Sequence, residues 1–176
     1  MRLLKEIVHK PNLLLDGRTT MREAVRAIIL KEKQVLMVFS PVNGDYKFPG
    51  GGIQDGEERW AALAREIKEE CGTKLIKILD EFGKMIELDL AEEEEFDLFK
   101  MTSYYYLCEV EDSFGEQNLD DYEYEYGFRP EWVSLEHAIA VNRALLEDPP
   151  PNIQRWVSRE LFVLEELEKF ENKINH

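Results

Sequence analysis

The chain has 176 residues, of which 44% are hydrophobic and 11% aromatic. That is enough for one domain with a packed core, and it excludes a disordered chain. The 22 Lys and Arg stand against 37 Asp and Glu, a formal net charge of −15; nucleic acid and membrane surfaces, which call for a basic footprint, are not expected as partners. A small anionic substrate stays compatible where metal ions supply positive charge locally.

Residues 1–20 read as a lead-in, with Leu13, Leu14 and Leu15 ending in an Asp16-Gly17 turn. The start, Met1 to Glu6, is too mixed for a signal peptide, and no apolar run reaches the length of a membrane span. With only Cys71 and Cys108 as thiols, the composition suits a reducing, cytoplasmic compartment. Ala24 to Leu30 and Val35 to Ser40 are strand candidates joined by a hairpin connection. Pro41 to Asp45 forms a turn, and Tyr46 to Phe48 a short strand that runs into Pro49-Gly50-Gly51-Gly52.

The spacing predicts a helix over residues 57–71, with Asp55 and Glu58 as a capping box and Gly72 as its terminator. Its apolar stripe is Trp60, Leu63, Ala64, Ile67 and Cys71. Strands follow over Leu75 to Phe82 and Thr102 to Val110, separated by an acidic loop around Glu92 to Asp97. A second acidic, tyrosine-containing loop runs from Glu111 to Arg129 and leads to the short strand Glu131 to Val133. Helices are predicted over Leu135 to Leu146 and Ile153 to Phe170, with the helical C-terminal segment assigned to 149–176. Strands interleaved with helices point to a layered α/β or α+β domain around a mixed sheet.

Glu66, Glu69 and Glu70 stand at i, i+3 and i+4 of the predicted helix and share one face, on the side away from Trp60 and Ile67. Like charges so placed repel unless cations sit among them. Clustered hard oxygen ligands suit Mg²⁺ or Mn²⁺ and not zinc. The three glycines before the helix let backbone approach a metal or a phosphate closely. Arg65 can hold a carboxylate through two hydrogen bonds, and Glu57 at the helix start is the candidate partner.

From Gly51 onward the fixed points are Gly51, Glu57, Arg65, Glu66, Ile67, Glu69, Glu70 and Gly72. This pattern resembles the Nudix box, G-x5-E-x7-R-E-U-x-E-E-x-G-U, over residues 51–73, departing from it only at Thr73, where a bulky apolar residue is usual. The resemblance implies an α/β/α sandwich around a mixed sheet, with residues 1–176 forming a single domain. It further implies hydrolysis of a diphosphate linkage in a nucleoside diphosphate joined to another group, with water attacking phosphorus. A non-catalytic Nudix-like nucleotide-binding module is the alternative.

By this resemblance Glu66, Glu69, Glu70 and the Gly50 carbonyl are expected to hold Mg²⁺ (or Mn²⁺). Glu66, then Glu69, is the candidate base, while Arg65 and Glu57 orient the ligands. Glu123 and Glu125, from the later acidic loop, are weaker candidates for the site. Tyr105, on a strand, is a weak candidate for stacking on a base, with ordinary packing the stronger reading. The implied partner is a small-molecule nucleotide or nucleotide derivative, and a homodimer is compatible with the family. Members that prefer ADP-ribose often carry a proline some fifteen residues beyond the box; no proline lies between Pro49 and Pro130, which weakens that substrate.

Overall fold

The structure, a computed structural model, describes residues 1–174; the last two positions of the expected 149–176 segment lie outside the described residues. Strands β1 (Leu3–Val8), β2 (Thr19–Lys31), β3 (Gln34–Ser40) and β4 (Asp45–Lys47) precede helix α1 (Arg59–Cys71). Then come β5 (Leu75–Asp89), β6 (Leu98–Val110), α2 (Asp121–Glu125), β7 (Arg129–Ser134), α3 (Leu135–Glu147) and α4 (Trp156–Ile174).

The sheet runs β1-β5-β6-β2-β3-β4, with β7 on the other edge of β3. It is mixed: β1 lies parallel to β5 and β2 parallel to β6, while β5 pairs antiparallel with β6 and β3 with β2, β4 and β7. Residues 24–29 of β2 form an unbroken buried run, as befits a central strand covered on both faces. Alternation divides its side chains. Val25, Ala27 and Ile29 pack with Ala62, Leu63 and Ile67 of α1, whereas Ile28 packs with Val163, Leu164 and Leu167 of α4. The same period separates Tyr104 and Tyr106, on the α1 side, from Tyr105, on the α4 side.

β2 and β3 pair only next to their hairpin, through Leu30–Val35 and Lys31–Gln34. Earlier along β2 the strands diverge, and the glycine segment fills the gap. Val25 N donates to Gly51 O at 3.0 Å, Ala27 N to Pro49 O at 2.8 Å and Ile53 N to Glu23 O at 3.0 Å. The loop before α1 is thereby held by the central strand and behaves as an added edge of the sheet.

Several expectations need correction. Residues 1–20 are not only a lead-in, because Leu3–Val8 forms β1 beside β5. β5 extends to Asp89, seven residues beyond the expected end at Phe82; it carries register shifts, and Gly83 is packed so closely against Leu4 that a Cβ would stand 2.5 Å from Leu4 Cγ. α1 starts at Arg59 with Glu58 as N-cap and no side-chain cap bond, so the Asp55–Glu58 capping box does not form. Glu57 instead accepts from Gln54 N at 2.9 Å. Trp60 is 63% exposed, because the buried side of α1 is centred on Leu63, Glu66, Ile67 and Glu70. The C-terminus of α1 does end at Gly72, whose φ of 70° is left-handed and whose N–H donates to Lys68 O.

A buried charge network fastens α4 to the sheet. Arg159 donates to Glu87 Oε2 and to Glu160 Oε1, both at 2.6 Å, and Glu160 Oε2 accepts the N–H of Phe48 at 3.0 Å. Burial alone would raise the Glu87 carboxyl, but Arg159 and His9 hold it down to about 2. Its contribution to stability is therefore complete above the ordinary carboxylate range and fades as pH falls through about 2. Arg159→Met strands Glu87 and Glu160 without their cation. The expected cost is about 3–5 kcal/mol, read as a lower urea midpoint with an unchanged slope. No helix among the described residues is long and apolar enough to cross a membrane.

Candidate active site

Glu66 and Glu70 lie one turn apart on α1 and point inward beneath the glycine segment. Glu66 is 7% exposed and Glu70 fully buried. Gly51 makes the approach possible, since a Cβ on it would stand 2.5 Å from Glu66 Oε1 and 2.6 Å from Oε2. Gly50 is needed for a different reason. Its φ is 140°, and a Cβ there would overlap the Val25 carbonyl oxygen.

A third carboxylate arrives from far along the chain. Asp120 N donates to Glu123 Oε2 at 3.0 Å, which fixes the short helix α2 and turns Glu123 inward to 5% exposure. One oxygen of each of Glu66, Glu70 and Glu123 lies within 4.8 Å of the others. Such a set of hard oxygen donors suits Mg²⁺ or Mn²⁺ in charge and chemistry. Glu125, two residues on, is exposed and outside this group.

Arg65 ties the helix to the loop. Its Nε and one terminal nitrogen donate to the two oxygens of Glu57, each at 2.9 Å. Its other terminal nitrogen donates to Glu66 Oε1 at 2.7 Å and Glu69 Oε2 at 3.1 Å, and a further bond runs to Gly52 O at 3.0 Å. This geometry fixes a carboxylate bidentately. The Arg65 guanidinium holds Glu57 down to about 2, and the same carboxylates raise the already high pKa of Arg65. Glu69 sits at the outer side of the clamp, half-buried, and is not one of the three converging carboxylates.

Two cations enter from the sheet. The Lys47 ammonium bonds Glu70 Oε1 and stacks over the Phe128 ring at 4.6 Å. Arg26 donates to the Gly50 carbonyl oxygen. Burial pushes the Glu66 carboxyl up, against the pull of Arg65. Burial, with Glu123 adding to it, pushes Glu70 up to about 7 against the pull of Lys47. Carboxylates so desolvated and crowded favour a bound divalent cation.

On the α4 face of the sheet lies a cavity of 520 Å³ that none of the cluster's carboxylates lines. Phe99, Met101 and Trp156 give it apolar walls, and Arg22, Arg155 and Arg159 stand there against Glu87, Asp89, Glu92 and Glu93, with Arg159 paired to Glu87 and Arg155 to Asp89. Arg22 links cavity and glycine segment: a Cβ on Gly52 would stand 2.9 Å from its guanidinium. Trp156 is half-buried here and donates to Asp45 Oδ2 at 2.6 Å. Tyr105 is fully buried, edge-on to Phe48 with ring centroids 5.6 Å apart; it has no face left for a base, so the stacking expectation is corrected.

The expected residues Glu57, Arg65, Glu66, Glu69, Glu70 and Gly50 thus come together around one loop and one helix. Glu123 joins them, and Glu125 and Tyr105 do not. Arg26 and Lys47 stand in the sequence as isolated basic residues, and their place on the strands flanking the glycine segment is what brings them to the site.

The family model of the NUDIX domain matches residues 20–172. The chain belongs to the NUDIX family. Among curated relatives, it is 39% identical over 74 residues to the RNA pyrophosphohydrolase of a Nitratiruptor species, an alignment covering 39% of this chain and 48% of that protein. It is 44% identical over 48 residues to the RNA pyrophosphohydrolase of Helicobacter pylori, covering 27% of this chain and 31% of that one. The matches span about half the length of these relatives or less. The fold is similar to a MutT NUDIX hydrolase from Burkholderia pseudomallei, with TM-score 0.53, 20% identity, and 81% and 96% of the two chains covered. It is also similar to a MutT protein from Bacillus halodurans, with TM-score 0.51, 19% identity, and coverage of 68% and 72%.

Proposed function

We propose that this NUDIX chain is a divalent-metal-dependent pyrophosphohydrolase that cleaves a phosphoanhydride of a nucleotide or nucleotide derivative. The observation that carries the reading is the convergence of Glu66, Glu70 and Glu123 within 4.8 Å, beneath a glycine segment and beside a clamped Arg65. Attack of water on an anionic phosphate needs charge neutralisation, alignment and a base. Mg²⁺ or Mn²⁺, when bound, neutralises the diphosphate and lowers the pKa of water.

The chain's own residues take the remaining tasks. Glu66, Glu69, Glu70 and Glu123 are assigned as the carboxylates available to the metal, with the Gly50 carbonyl beside them. Arg65 holds Glu66 and Glu69 in place, and Glu57 holds Arg65. Glu66 is the first candidate for the base, because it is the buried carboxylate that shares an oxygen with the clamp. Arg22 is placed to meet substrate phosphate between the glycine segment and the cavity, and the apolar walls of that cavity suit a nucleoside.

The curated relatives' names favour an RNA 5′ end among possible substrates. The net charge of −15 argues against an extended contact with RNA, so the reading is confined to the terminal nucleotides. Buried, unpaired Cys71 and Cys108 support a reducing, cytoplasmic compartment. The test is a Mg²⁺-dependent hydrolysis panel of nucleoside triphosphates, nucleotide sugars, ADP-ribose, dinucleoside polyphosphates and a 5′-triphosphorylated oligonucleotide. Glu69→Gln is run beside the wild type. Turnover of one class, lost in the variant, is the expected result. Tight binding without turnover would favour the non-catalytic module instead.

A further inference from the structure

The run Glu92 to Glu95 follows β5, and its first two members line the cavity on the α4 face. Strand pairing sets the order of side chains along that cavity. Gly52 bridges to Ala24 of β2. Two residues back along β2, Arg22 stands in one row with Met101 of β6 and Glu87 of β5; two residues further, Thr20 stands in a row with Phe99 and Asp89. At ~3.3 Å per residue, the Thr20 row lies roughly 13 Å from Gly52. The loop that carries Glu92 and Glu93 comes next, anchored beside the start of β2 where Asp97 N donates to Arg18 O at 2.7 Å.

The charges follow this order. Glu87 is paired with Arg159 at 2.6 Å and bonded to His9 at 3.0 Å, and Asp89 is paired with Arg155. These buried carboxylates are neutralised inside the cavity. Arg22 adds positive charge at the glycine end. Glu92 is 87% exposed and reaches only the outer side of Arg155, at 3.5 Å, and Glu93 to Glu95 are exposed as well. The cavity is thus polarised, positive toward the glycine segment and negative at its far mouth, with Phe99 and Trp156 in its walls.

A nucleotide with its phosphates toward Arg22 has its nucleoside between these ends. A further nucleotide joined at the 3′ oxygen brings a phosphodiester charge out past the acidic mouth, within the Debye length of ~8 Å at physiological salt. We propose that Glu92 and Glu93 are specificity-determining residues, an acidic rim that disfavours a nucleotide extended at its 3′ oxygen relative to the free mononucleotide. This rests on the reading of the cavity as the nucleoside site.

The test compares kcat/KM for a nucleoside triphosphate with that for the 5′-triphosphorylated dinucleotide that begins with the same nucleoside. The wild type is expected to prefer the mononucleotide at least tenfold at low ionic strength. The gap should close toward parity in about 1 M NaCl, where the Debye length is ~3 Å. Glu92→Gln/Glu93→Gln should raise the dinucleotide-to-mononucleotide ratio at least fivefold. Glu6→Gln/Glu147→Gln, which removes the same charge from exposed positions elsewhere, should leave that ratio within twofold. Equal use of both substrates by the wild type, or equal ratios in wild type and Glu92→Gln/Glu93→Gln, would overturn the role of the rim alone. Equal gains in the two double variants would do so too, by assigning the effect to net charge. Should neither substrate be cleaved, the hydrolase reading fails for them, and the same ratio is read from their dissociation constants by tryptophan fluorescence. Binding of neither would overturn the reading of the cavity together with the proposal.

Discussion

Glu123→Gln is expected to lower kcat by about 10²–10⁴-fold, the range seen when a positioned acid–base or ligand group is lost, with thermal stability nearly unchanged. Glu123 is brought to the cluster by the five-residue helix α2, and its Oε2 accepts from Asp120 N. Glutamine keeps the side-chain oxygen that receives that bond, so the segment stays folded. It removes the charge that Glu66 and Glu70 face across the site. Glu125→Gln is the matched comparison: its side chain is exposed, and activity should stay within about twofold, as for surface substitutions away from structural features. Steady-state rates at saturating Mg²⁺ for the two variants separate the inward glutamate from its solvated neighbour. Equal losses would mean that the loop acts through its overall charge.

Gly51→Ala is the second large effect. The added methyl would stand 2.5–2.6 Å from the carboxylate of Glu66, a side-chain end that can swing away. Displacing it pulls on Arg65, which donates to the same Oε1 at 2.7 Å. A shift of this kind in a positioned group costs about 10²-fold in rate. The Gly51 backbone is not left-handed, so the fold should tolerate alanine. Gly50→Ala should behave differently. Its φ of 140° and overlap with the Val25 carbonyl oppose any side chain, so melting temperature and activity should fall together. Thermal melts with rates on the same samples check both.

The box was legible in the sequence because its chemistry is local. Glu57, Arg65, Glu66 and Glu69 meet within one loop and three helical turns, and fixed spacing on a helix converts directly into geometry. The direction of the cluster was less legible. Glu66 and Glu70 look like a solvated face when the helix is read alone, and they are buried because the glycine segment folds over them. Glu123 depends on a contact across 53 residues from Glu70, and Glu125 offers the same local signal.

Lys47 and Arg26 are single basic residues without periodic context, and their role comes from β2 and β4 flanking Pro49–Gly52. The mixed sheet with flanking helices was readable from alternating elements. β1 was not, since Leu3–Val8 (LLKEIV) lacks an alternating pattern and is half-exposed at the sheet edge. The far half of β5 was hidden behind Gly83, which follows three register shifts that break the period of two in the near half.

The central claim is that the carboxylates beneath the glycine segment make a metal-dependent hydrolase site. The most direct measurement is the initial rate of phosphoanhydride cleavage by the wild type with Mg²⁺, with EDTA, and by Glu66→Gln with Mg²⁺. Turnover that requires the metal and is lost in the variant, with the melting curve still cooperative, is the expected result. Cleavage that persists in EDTA, or in Glu66→Gln at the wild-type rate, would contradict it.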